Sequence, residues 1–263
     1  MKQNKDGAGR WALVTGASGG IGYELSRRLA KAGFSVIMVS RNSERLSAAA
    51  AEIRKHRVEA VVLPKDLSNP EATEEIFADV RKRGLDVDVL VNNAGFGDLG
   101  RFAEAEWEVQ RQMLQVNVAS LVRLTQLFLP EMIRRNSGGI LNVGSTGSFA
   151  PVPYMAVYGA TKAFVLSFSE ALSAELQGTG VQVTALCPGV TATQFAKRAK
   201  TENTRLARMN RMTAENVARI GCRALMKGRP RVVPGLFNKL LIGSLRFSHR
   251  SAVVQLSKAL MHP

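Results

Sequence analysis

Short apolar runs alternate with amphipathic stretches along most of the chain, and this alternation limits the folds open to it. The runs are rich in Val, Ile and Leu, as strands covered on both faces of a parallel sheet require. Predicted strands cover residues 10–14, 35–39, 60–63, 87–91, 139–143, 181–186 and 231–233. Predicted helices cover residues 23–32, 43–56, 71–83, 106–135, 154–176 and 214–226. This order predicts βαβ units, and therefore a single α/β domain: a doubly wound parallel sheet of about seven strands flanked by helices.

The composition is that of one globular domain in a reducing compartment. The chain has 263 residues, of which 46% are hydrophobic and 22% charged, enough for a large core. Cys187 and Cys222 form neither a disulfide framework nor a metal motif, which favours a cytoplasmic setting. Residues 1–9 are polar, and we expect a flexible terminus there rather than a signal peptide. No window approaches 18 uninterrupted apolar residues, so no membrane-spanning helix is predicted.

Positive charge is concentrated in the last quarter of the chain. Residues 191–263 hold 15 Lys and Arg against two acids, a net charge of +13, whereas residues 1–190 carry only +2. Such a field attracts phosphorylated substrates, acidic carrier proteins, anionic lipid surfaces or nucleic acid, and the alternative is a solvated surface with no partner. Because no aromatic-rich basic platform accompanies the charge, we expect no specific nucleic-acid binding.

The glycine-rich segment TGASGGIG joins the first predicted strand to the first predicted helix. Glycines allow a tight turn and a close approach to a pyrophosphate, which the N–H groups of the helix N-terminus can bind. The position in a βαβ unit favours this interpretation over a turn that uses glycine for geometry alone. The residues of this segment that we expect at a dinucleotide are Gly16, Ser18, Gly20, Ile21 and Gly22.

The end of the second predicted strand indicates which dinucleotide binds. An acid there would bind the ribose 2′-hydroxyl and repel a 2′-phosphate, but the sequence has Ser40 and Arg41. A guanidinium and a hydroxyl both suit a phosphate, so the sequence favours NADP(H) over NAD(H). The alternative is that Arg41 only caps a loop.

The stretch YMAVYGATK places Tyr158 four residues before Lys162, and Tyr154 four residues before Tyr158. On a helix this spacing brings side chains onto one face, one turn apart. Taken alone, it is more typical of an aromatic ring packed beside a surface lysine than of a chemical pair.

Six motifs in chain order resemble the short-chain dehydrogenase/reductase family, over residues 10–195. They are TGASGGIG, the NNAG of residues 92–95, Asn117 in NVAS, Ser145 thirteen residues before Tyr158, the Tyr158-x-x-x-Lys162 pair, and Pro188-Gly189 with Thr193. The resemblance implies a Rossmann-type fold and an oxidoreductase. One departure is Gly144, where many members have a second serine.

The resemblance also implies a role for individual residues at the cofactor. Asp66 would bind the adenine amino group with Leu67 beside it, and Asn92, Ala94 and Gly95 would line the adenosine ribose. A second set is expected at the nicotinamide: Pro188, Gly189, Thr191 and Thr193.

The chemistry expected of the site is proton transfer coupled to hydride transfer between a carbonyl and a secondary alcohol. Tyr158 would donate the proton in reduction, and an ammonium at Lys162 would lower its pKa from the ordinary value of about 10. Ser145 would hydrogen-bond the substrate oxygen. By resemblance, Lys162 also holds the ribose hydroxyls, and Asn117 holds a water on the proton path. No metal site is predicted. The alternative function is an NADPH-binding sensor, or a membrane- or carrier-associated protein, that uses the fold without turnover.

Substrate choice is expected to depend on a variable covering segment, residues 191–212. Its apolar residues are Phe195, Leu206, Met209 and Met212. The predicted apolar pocket is lined by Phe96, Phe149, Val152, Tyr154 and Met155, with packing the favoured role of Tyr154. The Pro-Val-Pro at 151–153 is similar, weakly and locally, to members acting on steroids and on 3-oxoacyl thioesters, so the carbonyl compound could be carried on CoA or an acyl carrier protein.

The tail, residues 235–263, extends beyond the common core as a basic amphipathic segment with Lys239 and Arg246 among its leucines. Three interpretations stay open: packing on the core or on a neighbouring subunit, contact with an anionic membrane surface, and docking of an acidic carrier or a CoA phosphate. Family members commonly pair their two long helices between subunits, which implies a homodimer or homotetramer.

Overall fold

A seven-stranded parallel sheet forms the centre of this computed structural model, which describes residues 9–208, 211–245 and 247–261. The strands are β1 (Trp11–Thr15), β2 (Ser35–Ser40), β3 (Ala60–Pro64), β4 (Val87–Asn92), β5 (Gly138–Val143), β6 (Val181–Leu186), β7 (Thr191–Ala192), β8 (Met212–Thr213) and β9 (Arg231–Val232). The sheet order is β3-β2-β1-β4-β5-β6-β9, and β7 pairs separately with β8. The predicted α/β fold with about seven parallel strands is confirmed.

Helices cover both faces of the sheet. They are α1 (Gly20–Lys31), α2 (Ser43–Arg54), α3 (Ala72–Lys82), α4 (Trp107–Leu114), α5 (Ser120–Arg134), α6 (Ala156–Glu175), α7 (Phe195–Arg198), α8 (Ala214–Met226), α9 (Leu236–Leu245) and α10 (Arg250–Met261). Side chains alternate between the faces of a strand, and β1 shows this directly. Ala12 and Val14 pack in the core beneath α1, α2 and α8, whereas Leu13 packs in the core beneath α3, α5 and α6.

The order of the strands determines where a ligand-binding site can lie. The chain crosses from one edge of the sheet to β4 on the other side of β1, so the order reverses between β1 and β4. In such sheets ligands bind in the crevice outside the carboxyl ends of the strands at this switch point. The glycine-rich segment follows β1 and the NNAG segment ends β4, so both meet there.

Two predicted helices differ from the observed ones. The helix predicted over 106–135 is interrupted by a π-helical turn at Gln115–Ala119, between α4 and α5. The helix predicted from Tyr154 begins at Ala156, because Tyr154 adopts a φ of 64°, outside the helical region. The predicted terminus 1–9 lies almost entirely outside the described residues, as do Met209 and Arg246.

Candidate active site

A continuous cavity of about 1000 Å³ runs along the carboxyl ends of the strands. At one end the glycine-rich segment and the ends of β2 and β3 line it. Ser145, Tyr158 and Lys162 also line it, as do residues of α9 and α10. The cavity therefore joins the predicted cofactor residues to the predicted proton-transfer residues.

The turn after β1 is tight and is held by hydrogen bonds with the segment that follows β4. Gly16 has a φ of 66°, a conformation that glycine adopts without strain. The Asn93 amide donates to the Thr15 carbonyl oxygen at 2.8 Å. The Thr15 hydroxyl accepts from the backbone N–H groups of Asn93 and Ala94, both at 3.0 Å. Thr15 was not singled out from the sequence, although its place directly before the glycines was a usable signal.

The N-terminus of α1 is open to the cavity. Gly19, which precedes the helix, makes no side-chain cap, and both Gly20 and Ile21 line the cavity. A Cβ on Gly20 would lie 3.2 Å from the Thr193 methyl group, so a larger residue would narrow this passage. Backbone N–H donors at a helix N-terminus suit a pyrophosphate. The residues present therefore fit the phosphates of a dinucleotide.

The end of β2 brings polar and basic groups to the same end of the cavity. The Ser18 and Ser40 hydroxyls lie 2.8 Å apart, and the Arg41 guanidinium lies 3.8 Å from the Asp66 carboxylate. Arg45 and Lys65 also line the cavity here, although sequence reasoning did not identify them. Their signal was available, since Arg45 opens α2 just after β2 and Lys65 directly follows β3.

Tyr158 and Lys162 lie one turn apart on α6, where Lys162 is buried and Tyr158 is half-buried. The Lys162 ammonium donates to the Val143 carbonyl oxygen at 2.8 Å and lies 5.9 Å from the centre of the Tyr158 ring. Ser145 follows β5 and caps a short 3₁₀ turn, where its hydroxyl accepts from the Gly147 N–H at 3.0 Å. The end of β5 and the first turns of α6 thus bring the three side chains to one wall of the cavity.

Burial controls the protonation of this pair. It raises the pKa of Tyr158 to about 12, while a hydrogen bond with Ser145 acts in the opposite direction. It lowers the pKa of Lys162 to about 8. In this arrangement loss of hydration is the largest effect on Tyr158, and the Lys162 ammonium donates to Val143. A lowering of the Tyr158 pKa by Lys162 stays a prediction.

The lowered pKa of Lys162 predicts a pH dependence of stability. Folded Lys162 releases its proton near pH 8, whereas an unfolded lysine keeps it to about pH 10.4. Since the unfolded chain then binds more protons, the contribution of Lys162 to the free energy of unfolding rises with pH across this window. We expect the free energy of unfolding of the native protein, relative to that of Lys162→Met, to rise by about 2 kcal/mol between pH 8 and 10, measured by urea denaturation.

The matched control for this measurement is Lys258→Met, at an exposed position on α10. A constant difference between native and Lys162→Met proteins across the window would contradict the prediction.

Asn117 sits at the centre of the π-helical turn and is buried. Its amide donates to the Phe96 carbonyl oxygen at 2.9 Å and to the Thr161 hydroxyl at 3.1 Å, and its oxygen accepts from the Phe96 N–H at 3.1 Å. A Cβ on Gly95 would lie 3.0 Å from this oxygen and 3.3 Å from the Lys162 ammonium. Asn117 therefore stands behind Gly95 and next to Lys162, and its role in a proton path stays a prediction.

Most predicted site residues line the cavity, and they come from six separate parts of the chain. These are Gly16, Ser18, Gly20, Ile21, Ser40, Arg41, Asp66, Leu67, Ala94, Gly95, Phe96, Ser145, Val152, Met155, Tyr158, Lys162, Pro188, Gly189, Thr191 and Thr193.

Five predicted residues lie behind the cavity wall instead. Gly22 packs closely against the Gly16 carbonyl oxygen and the Asn93 amide, and Asn117 bonds to Phe96 and Thr161. Asn92 is buried, and its amide donates to Asn142 and Thr125, so Asn93 takes the expected place at the wall. Phe149 packs with Leu166, Ala185, Cys187 and Val233 on another cluster. Tyr154 packs in the apolar cluster around Met155.

The variable segment covers the cavity from the side. The Phe195 ring lies 5.5 Å from the Tyr158 ring, and Leu206 also lines the cavity. Lys200 pairs with Asp98 at 3.0 Å, and the Leu99 N–H donates to the Ala199 carbonyl oxygen at 3.1 Å. Met212 packs instead against the core of the sheet.

The tail contacts the rest of the chain through α10, where the Ser257 hydroxyl donates to the Pro151 carbonyl oxygen and Met261 packs with Met155. Both α9 and α10 contribute cavity-lining residues. Within the described residues, no helix combines the length and the apolar character needed to cross a membrane.

Known proteins share both the sequence pattern and this architecture. The family model for short chain dehydrogenases matches residues 10–204. Very-long-chain 3-oxoacyl-CoA reductase of Homo sapiens is 36% identical over 202 residues, which are 73% of this chain and 62% of that protein. The chain thus spans under two thirds of this relative's length.

Two solved structures match almost end to end. A short-chain dehydrogenase from Sphingobium yanoikuyae in complex with NADPH is 30% identical, with a TM-score of 0.81 over 90% of this chain and 94% of its own. A 7β-hydroxysteroid dehydrogenase is 28% identical, with a TM-score of 0.86 over 95% of this chain and 96% of its own. With its motifs, its sheet order and these matches, the chain belongs to the short-chain dehydrogenase family.

Proposed function

We propose that the protein is an NADP(H)-dependent oxidoreductase that interconverts a carbonyl and a secondary alcohol on an apolar substrate. The observation that carries this proposal is the single cavity in which Ser145, Tyr158 and Lys162 meet the open N-terminus of α1. A protein that only sensed the dinucleotide would not need these three groups together. The sensor alternative therefore has no observation in its favour.

In the reduction, NADPH supplies the hydride that the carbonyl carbon receives. The Tyr158 hydroxyl donates its proton to the substrate oxygen, and in the reverse direction its phenolate accepts that proton. The Ser145 hydroxyl hydrogen-bonds the same oxygen and stabilises the charge that develops there. Lys162 binds the ribose hydroxyls and, when charged, favours the phenolate. Asn117 orders the path by which the proton is replaced.

The preference for NADP(H) rests on Arg41, supported by Ser18, Ser40, Arg45 and Lys65. An Arg41→Ala variant is expected to bind NADPH about tenfold more weakly or worse, since a hydrogen bond to a charged group contributes about 1.5–3 kcal/mol. Affinity for NADH should stay within about twofold. Titration of cofactor fluorescence measures both.

The control for this prediction is Arg101→Ala, at an exposed position outside the cavity lining. An equal loss of affinity for NADH and NADPH in Arg41→Ala would show that Arg41 does not bind the 2′-phosphate.

The substrate class we favour is a 3-oxoacyl thioester, because the human relative carries that activity in its name. A steroid-like or other bulky ketone is the second class, supported by the 7β-hydroxysteroid dehydrogenase match. A panel of 3-oxoacyl-CoA compounds, steroids and simple ketones, assayed by NADPH oxidation with NADH as a control, tests the function. Absence of turnover on every class by a folded, NADPH-binding protein would argue against it.

Basic side chains at the cavity suit a carrier with phosphate groups. Arg198 lines the cavity, and Lys197 and Lys200 lie next to it in the variable segment. We therefore propose CoA or an acyl carrier protein as the carrier. A KM for 3-oxoacyl-CoA that rises with salt, while the KM for an uncharged ketone does not, would support it; a salt-independent KM would oppose it.

A homodimer or homotetramer is proposed from the apolar groups exposed on the long helices. Trp107 and Leu114 on α4 and Phe164 on α6 are all exposed. Such side chains are typical of a subunit interface. Light scattering after size-exclusion chromatography should give a multiple of the chain mass, and Phe164→Glu should reduce it. A native monomer would contradict the proposal.

Contact with an anionic membrane surface is proposed for the outer face of α9. Leu236, Leu240 and, just beyond the helix, Phe247 are strongly exposed, with Lys239 nearby. Apolar side chains flanked by basic groups suit this environment. Flotation with phosphatidylserine vesicles should recover the native protein but not Leu240→Glu; equal recovery would oppose it. The cytoplasmic location stays a prediction.

A further inference from the structure

Helix α10 contributes a wall of the cavity that also contains the glycine-rich segment. Its cavity-lining residues are Val253, Leu256, Ser257, Leu260 and Met261, and Leu241, Ile242 and Leu245 of α9 continue the same surface. These residues lie 37 to 57 positions beyond residue 204, where the match to the family model ends. Nothing in the motifs of residues 10–195 therefore accounts for this wall.

Contacts in the C-terminal half of α10 hold it against the site. The Ser257 hydroxyl donates to the Pro151 carbonyl oxygen at 2.8 Å, in the segment between Ser145 and Tyr158. Met261 is only 3% exposed and packs in one cluster with Met155 and Ala199. The Tyr158 ring belongs to the same cluster. The end of α10 thus packs in the same cluster as the proton-transfer group.

The side chains of this wall are apolar except for Ser257, whose hydroxyl already donates to the Pro151 carbonyl oxygen. Among the described cavity-lining residues of α9 and α10, all but Ser257 are Leu, Ile, Val or Met. A steroid with a second oxygen would require a hydrogen-bond partner for that oxygen, and this wall offers none. It suits the methylene groups of an alkyl chain, because the transfer of each group from water to an apolar surface is favourable in free energy.

The two faces of α10 differ as a ligand-facing helix requires. Val253 and Leu260 are half-buried towards the cavity, whereas the adjacent Ala252 and Ala259 are exposed. Leu256 lines the cavity and is still 52% exposed, which places it where the cavity meets solvent. The chain of a long substrate would pass Val253 and Leu260 and leave near Leu256.

We propose that α10 is the subsite for a long alkyl chain, and that Val253, Leu256 and Leu260 determine the chain length the enzyme prefers. The inference rests on the proposed function, because it names the part of the substrate that lies beyond the reacting carbonyl. It assigns a role to the tail that differs from carrier docking and from membrane contact.

The test compares a long and a short thioester that cannot be reduced. Dodecanoyl-CoA and butanoyl-CoA both lack the 3-oxo group, so calorimetric titration into the NADPH-bound protein measures binding without turnover. Each buried methylene is worth about 0.8 kcal/mol, or about fourfold in affinity. We expect the native protein to bind dodecanoyl-CoA at least about tenfold more tightly than butanoyl-CoA.

Two variants and one matched control locate the subsite. Val253→Trp should weaken dodecanoyl-CoA binding at least about tenfold, since its ring displaces two or more methylenes, and leave butanoyl-CoA within about twofold. Leu256→Ser, at a half-exposed position where folding is tolerant, should weaken only the long thioester, by about three- to tenfold. Ala252→Trp, one residue away on the exposed face, should change neither affinity.

Equal affinity of the native protein for both thioesters would overturn the inference. So would an unchanged preference in both Val253→Trp and Leu256→Ser, or an equal loss for both ligands. Turnover of the matching 3-oxoacyl-CoA compounds is measured separately. Reduction of 3-oxobutanoyl-CoA with no effect of chain length would support the proposed function and reject the subsite. Selective binding of the long thioester without reduction of any compound would support the subsite and reject the proposed function.

Discussion

Replacing Tyr158 by Phe is expected to abolish turnover while NADPH binding stays within about twofold of the native value. The substitution removes one hydroxyl from a half-buried ring and leaves the packing against Phe195 in place. Without that hydroxyl the substrate oxygen has no proton donor, and general acid catalysis contributes about 10²- to 10⁴-fold. We therefore expect kcat to fall by roughly three orders of magnitude, measured by NADPH oxidation with the best substrate of the panel.

The chain contains its own control for this experiment. Tyr154→Phe makes the same chemical change four residues earlier, on a ring that packs in the cluster beside the cavity. We expect its kcat to stay within a few-fold of the native value. Turnover retained in Tyr158→Phe, or lost equally in both variants, would show that Tyr158 is not the proton donor.

Replacing Gly22 by Ala is expected to destabilise the protein and to weaken NADPH binding. A Cβ at this position would fall well inside contact distance of the Gly16 carbonyl oxygen and of the Asn93 amide nitrogen. Neither atom can move freely, because Gly16 forms the tight turn and the Asn93 amide is bonded to Thr15. Overpacking of this kind costs about 1–3 kcal/mol, so we expect a loss near 3 kcal/mol by urea denaturation without cofactor.

Gly19→Ala is the matched control, three residues earlier in the same segment. A Cβ on Gly19 would have no atom within 4 Å, and its φ of 175° is open to any residue. Its stability should stay within about 0.5 kcal/mol of the native value. Equal stability of the Gly19→Ala and Gly22→Ala variants would contradict the close approach of α1 to the turn.

Local patterns were sufficient to predict the strands and most of the helices. Strand β6 was predicted with its observed bounds, Val181–Leu186, because a buried parallel strand is a continuous apolar run. Helix α8 was likewise predicted as observed, at Ala214–Met226. The π-helical turn around Asn117 was missed, because QVNVA carries no breaker and its geometry depends on contacts with Phe96 and Thr161.

Pocket residues were predicted less well than motif residues, for a physical reason. Phe149 was expected at the substrate because it lies between Ser145 and Tyr158, yet its ring packs towards Val233 and Ile242. The 3₁₀ turn that follows Ser145 rotates this side chain away from the cavity. Which face a loop residue presents depends on neighbours that are distant in sequence.

The sequence by itself determined the fold class, the family and the groups that line the reacting part of the cavity, because each is encoded in short segments whose spacing is local. Only the tertiary structure decided which residues that are distant in sequence lie in contact. Burial raises the pKa of Tyr158 and lowers that of Lys162, a balance that spacing on one helix does not reveal. Packing also sets α10 against Met155, more than 90 positions earlier, and so turns a basic amphipathic tail into a wall of the site.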